Sequence, residues 1–550
     1  MKVIIKTVLL LLIWMQVILP LFTRACAENR DEMKLVLIHL DAVSTDFFLQ
    51  ELQAGNLPNI GTFFGDEGRV DNTVTYFPSK TPTIVSSIRL GKSVRELDVP
   101  GWEWLLDATD QVIVRTSNTF LRMVFSTSRI SRTNIVYGIP SFHWLAAPAL
   151  VNIADYLKDY PVVEFYWYNI DTQGHFAGEK GYIDQLRFFD TQFGKLARRL
   201  DPDVNVIIYS DHGMVFNEGV EIDEEVKELL GDELRIYSFP TLFIYDYSRI
   251  EEVAQKLVDS TRIDFTFYET GPFEVKGIHS SSRLTFRQDS LSEMIQYTYD
   301  HEDILGYGDL GYEGEYLTEE EWLELTYDSD FPLAPVLLFE HLKNEVSGDI
   351  ITLFGHGKYQ QTDYAVFGNH GGFTREELRV PLLIRGAQVS HLANRNSYHL
   401  PNLFQDINDI GFNRNPPRER HTAGSRMDFR TMQPVLEFSL SPTYRMRYGA
   451  TFYHADFANL RESGRADVWG KGDLFRSYLN RVWVGGGMSF KDSVSRPYLL
   501  IEYDLHIRRL VIQNSYATHR PFEFRVNYEI TPYLAVQAVN FTSLGFRFDF

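Results

Sequence analysis

Five side chains able to hold a metal ion follow apolar runs, a sixth stands in a later glycine-rich loop, and a short segment rich in hydroxyls lies between the first of them and the rest. Asp41 closes KLVLIHL, Asp171 and His175 follow VVEFYWYNI in NIDTQGHFAG, Asp211 and His212 follow VNVIIYS in YSDHGM, and His370 sits in FGNHGGF. Each alone has an ordinary explanation: an Asp after a strand caps the next helix, and a loop His bonds a backbone carbonyl. Together they form a mixed carboxylate and imidazole donor set, which suits zinc or another borderline divalent ion such as manganese, whereas calcium calls for oxygen ligands. Six side chains and one hydroxyl are enough for two ions. FPSKTPTIVS, residues 77–86, offers Ser79, Thr81 and Thr83 as candidates for the hydroxyl. A Ser or Thr before an apolar run also serves as a helix N-cap, so the segment by itself does not choose among them.

The elements that must position these groups follow a repeated pattern of strand, turn and helix from Met33 onward. KLVLIHL, VVEFYWYNI, VNVIIYS, TLFIYD and DIITLF read as buried strands, with helical stretches around 148–160 and from Tyr182 to Leu200. Such alternation predicts an α/β/α sandwich with a central, mostly parallel sheet, and in these folds ligands gather at the carboxyl ends of the strands. Asp41, Asp171 and Asp211 all fall there.

The order of these residues resembles the alkaline phosphatase superfamily, and within it the type I phosphodiesterase and nucleotide pyrophosphatase branch. The resemblance rests on Asp41, a Thr at a helix start, D-x-x-G-H at 171–175, S-D-H-G-M at 210–214 and a late His370, and it covers roughly residues 34–390. It implies two zinc sites, one of Asp171, His175 and His370 and the other of Asp41, Asp211 and His212, with Thr81 completing the second. It also implies that Thr81 is the nucleophile, since FPSKTPTIVSSIRLG lines up without a gap against the family's nucleophile segment. Lys80, Thr83 and Trp102 are candidate substrate-binding residues. The chain departs from the family at Ile84, where the branch usually carries an Asn that binds a phosphoryl oxygen. The sulfatase branch is disfavoured, because no C/S-x-P-x-R segment follows the first Asp.

Composition frames this reading: 550 residues exceed what one core normally serves, and a net charge of -21 argues against a protein that coats nucleic acid. Lys2 and Lys6, the apolar TVLLLLIWMQVILPLF and Ala25-Cys26-Ala27 predict a secretory signal over 1–27, which would take the only cysteine with it. The enzyme domain is then expected over 28–390, with an acidic and aromatic insertion at about 220–346, and a linker over 391–431. From 432 to 550 the periodicity changes to two: Phe522, Phe524, Val526, Tyr528 and Ile530 alternate, and SLGFRFDF places Phe546, Phe548 and Phe550 on one face. Seven or eight such strands predict an all-β C-terminal domain, either an outer-membrane-barrel-like domain or a β-sandwich; an aromatic last strand ending in Phe resembles that of Gram-negative outer-membrane barrels.

These expectations combine into a secreted two-metal phosphoryl-transfer hydrolase, a phosphodiesterase or phosphatase, acting through Thr81 and a covalent phosphothreonine. Its substrate would be a phosphate-ester small molecule or an envelope lipid or glycan. Its place would be the periplasm or outer membrane of a Gram-negative bacterium, reached through the C-terminal domain. The alternatives are a phosphoethanolamine-type headgroup transferase of the envelope, and a non-catalytic envelope protein that retains the metal scaffold.

Overall fold

A computed structural model of the chain describes residues 33–550 apart from 92, 98–102, 107–110, 115–142, 158–159, 345–346, 413–419, 444–445, 454–464, 477–479, 492–493, 508, 532–533 and 550. The expected signal segment and Trp102 therefore lie outside the described residues. The chain divides into two compact units, one built from Leu35–Ala147 and Val162–Phe412, the other from Pro148–Pro161 and Asn413–Phe550.

The first unit is α/β. Its central sheet is built on three strands that are buried along their whole length, β1 (Leu35–Leu40), β2 (Val162–Trp167) and β3 (Asn205–Ser210). A strand covered on both faces needs an unbroken apolar run, which is what LVLIHL, VVEFYW and NVIIYS supply. β1 lies between the other two and is parallel to both, with Leu40 opposite Trp167 on one side and Ser210 on the other. The register brings the carboxyl ends of all three strands level. Around this parallel centre the sheet carries an antiparallel side, where β4 (Leu382–Arg385) pairs with β3 and with Arg69–Val70 at the edge.

TLFIYD and DIITLF are strands, but not of this sheet. Thr241–Ile244 and Ile350–Leu353 belong to a second, seven-stranded sheet, in which every pair is antiparallel. That sheet takes up most of the acidic and aromatic stretch. It has a core of its own, against which the helix Ile250–Ser260 buries Ile250, Val253, Ala254, Leu257 and Val258. That spacing is one apolar stripe of a helix. Alternation alone could not assign the two strands, since a short buried run looks the same in either sheet.

The second unit contains a closed barrel of ten strands, from Arg420–Asp428 to Ser543–Asp549, with the last strand pairing back onto the first. Its first strand starts inside the stretch that reads as a linker. Five of its strands run 11–14 residues. The strand Val494–Ile507 displays the pattern: Tyr498, Leu500, Glu502 and Asp504 face inward and are buried, while Leu499 and Ile501 face outward, 69% and 53% exposed. Charged side chains pair inside the barrel, Arg525 with Glu437 at 2.7 Å, Arg520 with Glu523 at 3.2 Å and Lys471 with Glu502. Asp504 accepts from Trp483 and Gln513 at 2.9 and 3.0 Å. A void among these side chains measures about 30 Å³, room for about one water, so this part of the interior is packed and is no open channel. Helix residue Asn152, which belongs to this unit, donates to the His506 carbonyl at 3.1 Å. Among the described residues no helix is long and apolar enough to cross a membrane.

Candidate active site

Because the ends of β1, β2 and β3 are level, the residues that follow them meet. Asp41 comes one residue after β1, and its amide bonds Trp167 O at 3.0 Å. The turn is sharp: Ala42 takes φ 63°, the left-handed region that costs a residue with a Cβ about 1–3 kcal/mol, and its amide donates to Asp211 Oδ1 at 3.3 Å. Asp211 and His212 follow β3. Asp171 and His175 lie on the helix α1 (Asn169–Ala197), four residues apart and so on one face, with His175 Nε2 3.2 Å from Asp171 Oδ1.

Two glycines of the motifs are needed for the backbone. Gly178 breaks α1 with φ 66°. Gly213 lets the SDHGM turn pass Glu376, where a Cβ would lie 1.9 Å from the carbonyl oxygen.

The three imidazoles share one arrangement. His175 Nδ1 is 2.8 Å from Gly368 O, His212 Nδ1 3.0 Å from Gly213 O, and His370 Nδ1 2.6 Å from Ser79 O. A carbonyl only accepts, so each Nδ1 carries a proton and each Nε2 is the atom turned to the cluster. There the Nε2 atoms face carboxylates. His370 Nε2 is 3.3 Å from Asp171 Oδ1, and His212 Nε2 is 3.4 Å from Asp41 Oδ1 and 3.5 Å from Asp211 Oδ2. The rings of His212 and His370 stack at 3.7 Å. Asp171 Oδ1 and Asp211 Oδ2 are buried with no hydrogen-bond donor. Two donor groups result, Asp171 with His212 and His370, and Asp41 with Asp211 and His212, each with ligand atoms within 4.8 Å of one another. Imidazole nitrogens and carboxylate oxygens gathered this closely are a donor set that fits divalent cations once Nε2 is deprotonated.

The electrostatics agree with that fit. Burial, then the charges of Asp211 and Asp171, push Asp41 well above the ordinary carboxylate range. Burial would also raise Asp211, but His212 and His39 outweigh it and hold the group at about 2. Burial likewise opposes ionisation of Asp171, and His175 and His370 hold it well below the usual range. Burial and the neighbouring His212 bring His370 down to about 4. Three carboxylates in one dry space cannot all ionise without added positive charge, which divalent cations would supply.

The helix α2 (Thr81–Leu90) begins at this cluster. Thr81 Oγ1 is 3.0 Å from His212 Nε2 and 3.4 Å from Asp41 Oδ1. Ser79 is engaged elsewhere: its hydroxyl donates to Gly372 O at 3.0 Å and accepts from the Gly371 amide at 2.8 Å, which steadies the loop of His370. Thr83 is fully buried, and its Oγ1 has no hydrogen-bond partner among the described residues. Lys80 Nζ donates to the Phe239 carbonyl, and Ile84 is fully buried.

Three residues at the site were not read from the sequence. His39 and Tyr166 touch the carboxylates of Asp211 and Asp41. Tyr364, 54% exposed, sets its ring 5.0 Å from His175 and 4.9 Å from Phe176, which is 48% exposed. Nothing in QQTDYAVFG distinguishes that Tyr from any other loop aromatic.

The chain matches the family model described as type I phosphodiesterase / nucleotide pyrophosphatase over residues 133–260, a span that holds Asp171, His175, Asp211 and His212. No curated protein matches it. Among solved structures, murine ectonucleotide pyrophosphatase / phosphodiesterase 5 is similar at 13% identity and a TM-score of 0.42, covering 70% of this chain and 97% of that one. An inactive form of the murine protein in complex with AMP gives a TM-score of 0.43 at the same identity and coverage. The human protein of that name gives 13%, 70%, 97% and 0.42.

Proposed function

We infer that the protein is a phosphodiesterase of the type I phosphodiesterase / nucleotide pyrophosphatase family, whose model it matches over residues 133–260, that it cleaves its ester through Thr81 beside two divalent ions, and that its barrel anchors it in an outer membrane. The observation that carries the catalytic part is the place of Thr81 Oγ1, 3.0 Å from His212 Nε2 and 3.4 Å from Asp41 Oδ1, beside two groups of Asp and His ligand atoms that lie within 4.8 Å of one another. Asp41, Asp211 and His212 would hold one ion, and Asp171, His175 and His370 the other, zinc or manganese. Bound there, the ions would supply the positive charge that lowers the pKa of a neighbouring hydroxyl and stabilises the leaving oxygen.

The residues of the chain do the rest. Thr81 Oγ1 forms the bond to phosphorus as the ester oxygen leaves on the opposite side, and its own proton departs toward the acceptors beside it. Water then cleaves the phosphothreonine and regenerates the hydroxyl. Ile84 offers no donor to a phosphoryl oxygen and Thr83 is fully buried, which leaves Lys80 and Trp102 as the substrate contacts to be tested.

The barrel supports insertion through its inverted pattern, with ion pairs inside and Leu499, Ile501 and similar apolar groups outside. A soluble barrel reverses that arrangement.

Elemental analysis of purified protein is expected to give about two divalent ions, with hydrolysis of an aryl phosphodiester in water alone, lost to a chelator and restored by zinc. Folded protein that holds no divalent ion and regains none would overturn the two-metal reading. Turnover only with an added acceptor would make the enzyme a transferase.

A further inference from the structure

His39, Tyr166 and Tyr209 come from three strands and form one row. In the sheet register His39 stands opposite Tyr166 on one side and Tyr209 on the other. The His39 ring lies 4.6 Å from that of Tyr166 and stacks on that of Tyr209 at 5.0 Å, 7° from parallel. Successive side chains of a strand alternate in face, so a residue two places before a strand-end Asp shares its side of the sheet. His39 is two before Asp41, and Tyr209 two before Asp211. The row therefore forms a buried layer directly behind the two carboxylates.

The contacts from this layer go to one oxygen of each carboxylate. Tyr166 OH donates to Asp41 Oδ2, and His39 Nε2 lies at an ion-pair distance of 3.1 Å from Asp211 Oδ1, outside hydrogen-bond geometry; that oxygen accepts from the amides of Ala42 and His212 at 3.3 and 3.1 Å. The other oxygens face the cluster: Asp41 Oδ1 toward Thr81 and His212, and Asp211 Oδ2 toward His212 with no donor. The division is similar at both residues: the outer oxygen lies against a ring of the row, and the inner oxygen faces the cluster, where Asp41 Oδ1 meets the Thr81 hydroxyl and Asp211 Oδ2 has no donor. A carboxylate held in this way cannot turn about its Cβ–Cγ bond and already presents the ligand oxygen in place.

We propose that Tyr166 and His39 are positioning residues that aim the inner oxygens of Asp41 and Asp211, and so set the affinity of the ion site beside Thr81, with Tyr209 steadying the His39 ring. This rests on the reading that Asp41, Asp211 and His212 hold a divalent ion. Groups that hydrogen-bond a ligand fix its orientation, and losing one typically costs 10–100-fold in metal affinity.

The test uses full-length protein with the substitutions Tyr166→Phe and His39→Phe, each of which keeps a ring in the row and removes only the polar contact. Zinc affinity is measured by competition with a chromogenic chelator, alongside the melting temperature of the metal-free protein. Each variant is expected to bind one of two equivalents about 10–100-fold more weakly, to leave the other unchanged, and to melt where the metal-free parent melts. His39→Gln, which restores an N–H donor, should recover part of the loss. Weakening of both equivalents together with a lowered metal-free melting temperature would mean a merely structural role and overturn the proposal. A parent protein that binds two ions, with both variants holding both as tightly, would overturn it while leaving the metal reading intact. A parent that binds none would overturn both.

Discussion

Ser79, Thr81 and Thr83 lie within five residues of one another, and their partners separate them. Ser79 holds the His370 loop, Thr83 is sealed in the core, and Thr81 alone meets the cluster. Thr81→Ala should lower phosphodiester turnover by more than about a thousandfold, since the attacking atom is gone, while bound metal stays because three other ligands remain at that site. Thr81→Ser should retain a measurable fraction, and Thr83→Ala should cost far less. Steady-state rates with metal content for each variant check this, and full activity in Thr81→Ala would sink the assignment. A different contact is at stake at Tyr364: Tyr364→Ala should raise KM for an aryl diester about tenfold and leave a methyl diester unaffected, because only an aromatic group gains from the exposed ring. Five of the acidic and imidazole residues of the site were legible in the sequence because they follow apolar runs, and His370 because it stands late in the family's order, between Asn369 and a glycine pair. His39 was not, because a His inside a strand looks like core; the signal lay in its distance of two from Asp41, which matters only once the strand is known to present that face to the site.

At the scale of elements, the motifs that position the cluster were legible where they carry glycine. Gly213→Ala would place a Cβ 1.9 Å from a backbone oxygen of Glu376 and must move the turn that bears His212. We expect a loss of about 1–3 kcal/mol in denaturant unfolding, with weaker zinc binding measured on the same protein. Strand membership was harder to read, since TLFIYD and DIITLF pair antiparallel in a sheet whose register depends on contacts across more than 100 residues. The barrel strands were undercounted for a related reason. RHTAGSRMD, at 420–428, presents polar and small groups inward and reads as a loop, and NRVWVGGGMSFK, at 480–491, loses its alternation at Gly485, Gly486 and Gly487, where a Cβ would meet neighbouring backbone. The outward face is also open to test. Ile501 lies mid-strand and 53% exposed, so in water Ile501→Arg would be neutral, whereas facing lipid it should cost about 2–4 kcal/mol. Unfolding in detergent or lipid, with Ile501→Val as the control, decides between them.

For the whole molecule, the ends of the barrel strands define a side. The first strand begins at Arg420 and the last ends at Asp549, with Thr422 opposite Asp549. At that same end the strands are joined from Thr443 to Met446, Arg476 to Asn480, Ile507 to Leu510 and Thr531 to Leu534, all short connections, while the longest, Tyr453 to Arg465, is at the other end. Outer-membrane barrels keep short turns in the periplasm and longer loops outside, so the chain preceding Arg420 should enter from the periplasmic side, and the enzyme unit should work there. The full-length protein should then fractionate with outer membrane and resist carbonate extraction. Protease added to intact cells should spare residues 35–412, and the same protease should degrade them once the outer membrane is permeabilised. Digestion in intact cells would reverse the orientation and move the substrate outside the cell. Recovery of all the protein in the soluble periplasmic fraction would remove the membrane altogether, and the outward Leu499 and Ile501 would then have to be covered by another protein.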